Sequence, residues 1–227
     1  MRSIHSQGLF FGWIALSLFG MSNGEAQVKV KTVPPSISRP DKIGGGVVSF
    51  NDSNILLDNH TIQKAGSPNG NVLEINSKKQ VNETGGIVQI FLWNSTVRLK
   101  EMGLLVGFEE TNFTKDQKFI LEIHQLKNKN DHRSDKIVLS NPLMIPAESV
   151  RKGQYLSFNF AKSLELTKGS VYAVHFYSEN NEDQSIKFQL AADNLLGMSF
   201  QAPASRMVSF INKDQNPDLN IYLLAEE

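Results

Sequence analysis

The stretch from residue 85 to residue 108, GGIVQIFLWNSTVRLKEMGLLVGF, constrains the fold more than any other part of the chain. In residues 87–93, apolar and aromatic side chains alternate between two faces, and a similar alternation returns after the polar residues 94–96. A period of two residues is typical of a strand, whereas a helix repeats every ~3.6 residues. The stretch therefore predicts two β-strands joined by a short turn.

The second of these runs changes phase. Met102 lies three positions after Leu99, an odd step, so a regular strand would place the apolar residues before and after this step on opposite faces. One extra residue in the strand would return them to the same face. We therefore predict a bulge or kink near Lys100 and Glu101.

Short strand-like segments recur along the rest of the chain, separated by turn residues at intervals of about ten residues. No helix and no internal repeat is indicated. This pattern predicts one all-β domain over residues 47–227, a β-sandwich of two antiparallel sheets. The predicted strands are residues 47–50, 55–57, 72–76, 118–126, 136–139, 154–160, 164–166, 170–178, 185–190, 206–210 and 219–225.

The first 46 residues differ from this pattern. Residues 1–26 are typical of a secretory signal peptide, with Arg2 in a polar lead, an apolar core at 9–21 and small residues before Gln27. Because the apolar core is short for a membrane span, we predict cleavage and a secreted or periplasmic location. Residues 27–46 are rich in proline and glycine, which predicts a tether or an edge segment.

Composition excludes several classes of protein. The chain contains 23 basic and 23 acidic residues and no cysteine. Balanced charge argues against a nucleic acid or an anionic membrane surface as the partner. A secreted chain that needs no disulfide is more typical of bacteria than of eukaryotes.

The order of segments resembles a family of secreted bacterial jelly-roll domains found in PEP-CTERM and "choice-of-anchor" surface proteins. The resemblance is carried by QIFLWNSTVRLKEMGLLV, FILEIHQL and IPAESVRKGQYLSFNFAKSLELTKGSVYAVHFYSE. Leu99 and Met102 fit the phase shift of one family strand, and Lys168 and Gly169 fit its last turn. The resemblance implies a jelly-roll fold but no particular function. The chain ends at Glu227 without the family's sorting helix and basic tail, which predicts a soluble exported form.

Catalytic motifs are absent from the sequence. There is no cysteine and no G-x-S-x-G, and no two histidines have a metal-ligand spacing, so we predict no catalytic residues and no enzyme. His124 and His175 lie in the middle of the two strongest strands, with Glu122 on the face of His124. They are interpreted as half-buried residues, with a two-histidine metal site as the alternative. A catalytic pair of carboxylates for glycoside hydrolysis, contributed by distant segments of the chain, remains an open alternative.

Binding candidates are few. Trp93, Tyr155 and Tyr177 are candidate stacking platforms for a sugar ring, with core or rim packing as the alternative. The cluster ENNED at residues 179–183 offers a candidate structural calcium site at Glu179, Glu182 and Asp183, with a solvated hairpin tip as the alternative. No other cofactor is predicted.

Three functions follow from these observations, in decreasing order of support. The first is an exported, non-catalytic binding module, with a glycan as the ligand suggested by fold analogy alone. The second is a structural or assembly protein of the cell envelope or matrix, with another envelope protein as its partner. The third is a polysaccharide-active enzyme.

Overall fold

A computed structural model describes residues 28–33, 47–48, 54–55, 60–64, 68–76, 85–93, 96–109, 111–178, 184–191, 197–203, 205–210 and 217–226. Within these ranges the regular structure is almost entirely β, as predicted. The strands are β1 (Val28–Val33), β2 (Val47–Val48), β3 (Asn54–Ile55), β4 (His60–Lys64), β5 (Pro68–Asn76), β6 (Gly86–Leu92), β7 (Val97–Leu105), β8 (Gln117–Asn128), β9 (Asp131–Ile145), β10 (Tyr155–Leu166), β11 (Val171–Tyr177), β12 (Ser185–Ala191), β13 (Gly197–Ala202) and β14 (Ile221–Glu226), and a 3₁₀ turn spans Ala147–Ser149.

Two five-stranded sheets form the body of the fold. Sheet I has the strand order β1-β10-β7-β14-β4, and sheet II has the order β13-β6-β11-β8-β9. All paired neighbours run antiparallel. Two smaller ladders, β12-β5 and β2-β3, accompany them. The predicted all-β sandwich of antiparallel sheets is confirmed. The jelly-roll connectivity of its strands remains a prediction.

The stretch with the two alternating runs crosses from one sheet to the other. β6 pairs with β11 and β13 in sheet II, whereas β7 pairs with β10 and β14 in sheet I. The two predicted strands therefore do not pair with each other. Gly169 donates its backbone N–H to the carbonyl of Trp93 at 2.6 Å, which fixes the point where the chain leaves sheet II.

The predicted bulge lies at Lys100. Consecutive residues of β14, Leu224 and Ala225, oppose Glu101 and Leu99 of β7, so Lys100 is the extra residue. Leu99 and Met102 are consequently both buried in the main core, each with no exposed surface. The phase shift in the sequence thus reports a real irregularity of the strand.

The main core lies between the two sheets and receives side chains from β6, β8 and β11 of sheet II and from β7, β10 and β14 of sheet I. Phe176 of β11 stands at its centre. Its ring stacks on Phe119 at 5.1 Å and meets Phe158 edge-on at 5.2 Å, and it also contacts Phe188 at 6.0 Å. Contact between rings from both sheets joins the two layers of the sandwich.

A second apolar layer covers the outer face of sheet II. Val88, Ala173 and Phe200 point away from the main core and pack with Phe210. Phe210 belongs to residues 205–210, which we call the strap. The sequence predicts a strand at 206–210, but the strap is held by one isolated bridge, between Ser209 and Arg133 of β9. Since both faces of sheet II are covered at β6, this strand is buried on both sides.

Of the first 46 residues, the structure describes only residues 28–33. Val28–Val33 forms β1, the edge strand of sheet I, so the edge alternative holds for this part of residues 27–46. The predicted signal peptide, residues 1–26, lies outside the described residues. Within the described ranges, no helix has the length and apolarity needed to cross a bilayer.

Candidate functional site

An open groove of about 860 Å³ runs along one side of the sandwich, where edges of the two sheets approach each other. β9 forms one wall, and the ends of β7 and β10 form the other. The residues that line it are Arg98, Lys136, Val138, Leu139, Ser140, Asn141, Lys162, Ser163, Leu164 and Glu165.

The strand pairings explain why the sandwich is open here. β1 pairs with β10 from Tyr155 to Phe160, whereas β10 continues to Leu166 beyond the start of β1. The register between β10 and β7 also shifts between Asn159 and Leu164, which places an irregular segment at the rim. Among the described strands, β9 from residue 135 onward pairs only with β8. Edges of both sheets therefore meet at the groove.

The groove is positively charged, and its lining mixes polar residues with the apolar Val138, Leu139 and Leu164. Arg98, Lys136 and Lys162 are exposed cations, and Glu165 is the one acidic residue in the lining. Asn141 and Ser163 add neutral hydrogen-bonding groups. None of the described residues that line it is aromatic, so recognition by these residues depends on charge and hydrogen bonds rather than on stacking.

The three aromatic candidates lie in the interior, which corrects their proposed role as stacking platforms. Trp93, Tyr155 and Tyr177 are at most 2% exposed. Trp93 packs edge-on against Phe91 at 6.3 Å in the main core. A ring that stacks on a sugar needs an exposed face, and these three rings have none because they are buried.

The other two rings are buried on the outer faces of the sheets. Tyr155 packs against Tyr222 at 4.9 Å, and its hydroxyl donates to the side chain of Asn220 at 2.7 Å. Tyr177 stacks on His175 at 4.4 Å. These contacts give each ring a packing role.

Neither metal candidate is supported by the described residues. Glu179, Glu182 and Asp183 lie outside them, so the calcium prediction remains as the sequence left it. Within the described ranges, no group of three or more histidine, aspartate or glutamate side chains is arranged to hold a metal ion. Both ring nitrogens of His124 already contact protein partners, which leaves no ligand atom for a site shared with His175.

A buried polar cluster lies beneath the strap on the outer face of sheet II. Glu122 and His124 of β8 are both about 1% exposed, and His124 Nε2 lies 3.2 Å from Glu122 Oε2. The strap adds Arg206, whose Nε donates to Glu122 Oε1 at 2.9 Å. Ser140 donates to the same oxygen at 2.9 Å. We call these residues, together with Ser134, the Glu-His cluster.

The carboxylate of this cluster is strongly held in its ionised form. Burial by itself would raise the pKa of Glu122, but hydrogen bonds from His124, Arg206 and Ser140 outweigh it and lower the pKa to about 2. An ionised carboxylate can only accept hydrogen bonds. His124 Nε2 must therefore carry a proton, and in the neutral imidazole Nδ1 is then an acceptor.

Ser134 is the hydrogen-bond partner of His124 Nδ1. Its Oγ lies 2.9 Å from His124 Nδ1, and its hydroxyl donates to that nitrogen when the imidazole is neutral and carries its proton on Nε2. Its backbone N–H donates to the carbonyl of Val208 in the strap at 2.9 Å. Ser134 is half-buried, in contrast to the fully buried His124. The order serine, imidazole, carboxylate is that of a nucleophile, a base and an orienting acid.

His175 has a different role on the same face. Its Nε2 donates to the carbonyl of Pro203 at 3.1 Å, and its Nδ1 has no hydrogen-bond partner among the described residues. Burial lowers the pKa of His175 to about 4, despite the hydrogen bond to Pro203 and the charge of Glu122. His175 is thus a neutral imidazole that fixes the chain just before the strap.

A second carboxylate cluster lies on the outer face of sheet I. Glu101 accepts hydrogen bonds from Ser157 at 2.6 Å, from Lys31 at 3.0 Å and from the hydroxyl of Tyr222. Burial opposes ionisation, but these bonds prevail and lower the pKa of Glu101. Because Glu101 and Glu122 lie on opposite outer faces, they do not form the carboxylate pair that glycoside hydrolysis requires.

The sequence offered partial signals for this chemistry. The E-x-H spacing of Glu122 and His124 predicts that both share one face of a strand. Ser134 and Arg206 join them from β9 and from the strap, and no sequence spacing indicates this. The groove residues were not predicted, since the groove depends on where neighbouring strands end.

Comparison with known proteins assigns no family to this chain. The architecture defines an all-β sandwich. No family model matches the sequence, and no curated protein matches it. The resemblance to surface-protein jelly rolls therefore remains an expectation from the sequence pattern.

Proposed function

We propose that the protein is an exported binding module whose groove takes an extended anionic polysaccharide, one that carries carboxylate or sulfate groups. The observation that carries this proposal is that three cations, Arg98, Lys136 and Lys162, line one open groove with a single acid, Glu165, among the described residues. Fixed cations attract anionic groups and orient them by charge-assisted hydrogen bonds.

The size and chemistry of the groove fit a segment of a glycan chain. Its volume of about 860 Å³ lies within the usual range of ligand sites. Asn141 and Ser163 supply the neutral hydrogen-bonding groups that sugar hydroxyls need. The charge is local, since the whole chain has a formal net charge of zero, which fits a sparsely charged polysaccharide better than a nucleic acid.

A second candidate is an assembly protein of the envelope or matrix. β9 is a long strand whose edge is open from residue 135 onward among the described strands, and it exposes Ile137 (39%) and Met144 (57%). Such an edge is suited to pairing with another protein chain. The cationic groove is preferred because it offers both a defined volume and an excess of positive charge.

Binding to polysaccharides tests the first candidate directly. The purified chain is titrated with a polyuronate, a sulfated polysaccharide and a neutral glucan, and each titration is repeated with calcium and with EDTA. We expect saturable binding to the anionic polymers that weakens as salt is added. The calcium arm tests the predicted site at Glu179, Glu182 and Asp183.

Charge reversal in the groove should abolish most of this binding. The double variant Lys136→Glu, Lys162→Glu is expected to weaken the affinity about tenfold or more, equivalent to at least about 1.4 kcal/mol. The matched control Lys115→Glu, Lys129→Glu makes the same change of charge at exposed lysines outside the groove. Equal losses in the two double variants would contradict the groove as the site. Failure of every polysaccharide to bind would favour the assembly function.

Export is the part of this proposal that rests on the sequence. Cleavage before Gln27 would leave residues 27–227, and Val28 would then begin sheet I next to the new N-terminus. We expect the intact mass of the protein recovered from the periplasm or the medium to match residues 27–227. A mass that includes residues 1–26 would contradict the predicted cleavage.

A further inference from the structure

The Glu-His cluster lies on the outer face of sheet II, and its three central groups form a line. Ser134 Oγ lies 2.9 Å from His124 Nδ1, and His124 Nε2 lies 3.2 Å from Glu122 Oε2. Both distances are within the range for hydrogen bonds to a catalytic base. Since the carboxylate can only accept, His124 Nε2 carries a proton, and in the neutral imidazole Nδ1 accepts the serine proton.

We propose that Ser134 is a nucleophile that takes an acyl group from small, activated esters, with His124 as its general base and Glu122 as the positioning residue that holds the imidazole. This activity is separate from polysaccharide binding and does not depend on it. It would correct the expectation from the sequence that the chain is non-catalytic.

The chemistry balances with an ester and water alone. Ser134 Oγ attacks the ester carbonyl carbon while its proton passes to His124 Nδ1. The bond from the carbonyl carbon to the leaving oxygen breaks, and His124 gives its proton to that oxygen, which releases an alcohol and leaves an acyl group on Ser134. Water then attacks the acyl carbon and gives a proton to His124, and Ser134 recovers a proton as the carboxylic acid leaves.

The surroundings of the cluster support this role in three ways. Phe210 packs edge-on over His124 at 4.9 Å, which excludes water from the base. Arg206 and Ser140 fix the carboxylate from the side opposite His124. Ser134 alone of the three central residues is half-buried rather than buried, so the nucleophile is the group that a ligand can reach.

The same surroundings limit the substrate and the rate. The backbone N–H of Ser134 is bonded to the Val208 carbonyl, so it is not free to stabilise an oxyanion. The strap also closes one side of Ser134. We therefore expect small acyl groups with good leaving groups to react, and we expect the acylated serine to be easier to detect than turnover.

A covalent probe tests the proposal on the full chain. The native protein is incubated with a small fluorophosphonate, and the adduct is located by intact mass and peptide mapping. We expect a single adduct, on Ser134, and none after unfolding in guanidinium. The same adduct should be lost in Ser134→Ala and retained in Ser170→Ala, which changes another half-buried serine that contacts Gln125 rather than a histidine.

Two further variants separate base catalysis from structural support. His124→Gln should slow labelling by about 10²- to 10⁴-fold, the usual contribution of a general base. Glu122→Gln should slow labelling while near-ultraviolet circular dichroism confirms that the variant is folded. Absence of any adduct on the native wild-type protein would overturn the proposal. An adduct on Ser140, which contacts Glu122 without touching His124, would also overturn it.

Discussion

Replacement of Phe176 by alanine is expected to lower the free energy of unfolding by about 3–5 kcal/mol, the usual cost of removing a fully buried phenylalanine. Phe176 has no exposed surface, and its ring contacts Phe119, Phe158 and Phe188. The change removes contacts that join sheets I and II and leaves a cavity between them. Few neighbours can move into that cavity, because β11 is held by strands on both sides.

Equilibrium unfolding in urea measures this loss. The matched control is Phe108→Ala, which removes the same atoms from a ring that is 62% exposed. We expect the control to change the free energy of unfolding by less than about 1 kcal/mol. Similar losses for both variants would show that the core between the sheets does not dominate stability.

The elements that the sequence predicts well are those with strong local patterns. Alternation identifies β6, β8 and β11 because each buries at least one complete face. The odd step between Leu99 and Met102 identifies the bulge at Lys100 because the core accepts both side chains only after an extra residue.

Other elements depend on contacts that local patterns do not report. The sequence predicts no strand between residues 190 and 206, yet Gly197–Ala202 forms β13, which is stabilised by pairing with β6. β9 continues to Ile145, past Pro142, because the edge of sheet II needs no N–H from that residue. Trp93 is interpreted as a candidate platform because the sequence does not show which face of β6 points toward sheet I, and in the structure it is the face of Phe91 and Trp93 that lies in the main core.

The candidate sites show the same division. The shared face of Glu122 and His124 is visible in the sequence, since they lie two positions apart along a strand. Ser134 reaches His124 only because the register between β8 and β9 shifts three times along that hairpin. Arg206, which donates to Glu122, lies 84 positions after it in the sequence. Long-range pairing and register, rather than residue type, determine both the cluster and the groove.

Acidification is expected to destabilise the protein in two separate pH ranges. The pKa of His175 is lowered from 6.5 to about 4, so only the unfolded chain binds this proton between those values, and stability falls as the pH drops from about 6.5 to about 4. The pKa of Glu122 is lowered from 4.5 to about 2. Its contribution is fully present above pH 4.5 and is lost as the pH falls through about 2.

The lower range can be assigned to Glu122 by substitution. A shift from 4.5 to about 2 corresponds to about 3 kcal/mol for this buried carboxylate. Glu122→Gln keeps the shape of the side chain but removes its titration, so we expect the variant to lose about 3 kcal/mol less than the wild type between pH 5 and pH 2. Urea unfolding at pH 7, 5, 3 and 2 measures both curves.

The same experiment contains its own control. Between pH 7 and pH 5 the wild type and Glu122→Gln should lose stability in parallel, because in both proteins His175 takes up its proton in that range only in the unfolded chain. Below pH 4 the curves should converge, and the loss that remains in the variant reflects Glu101 and Asp131, whose pKa values are also lowered. If the two curves stay parallel down to pH 2, the strap is not held by an ionised Glu122, and the Glu-His cluster lacks the acceptor that fixes the tautomer of His124.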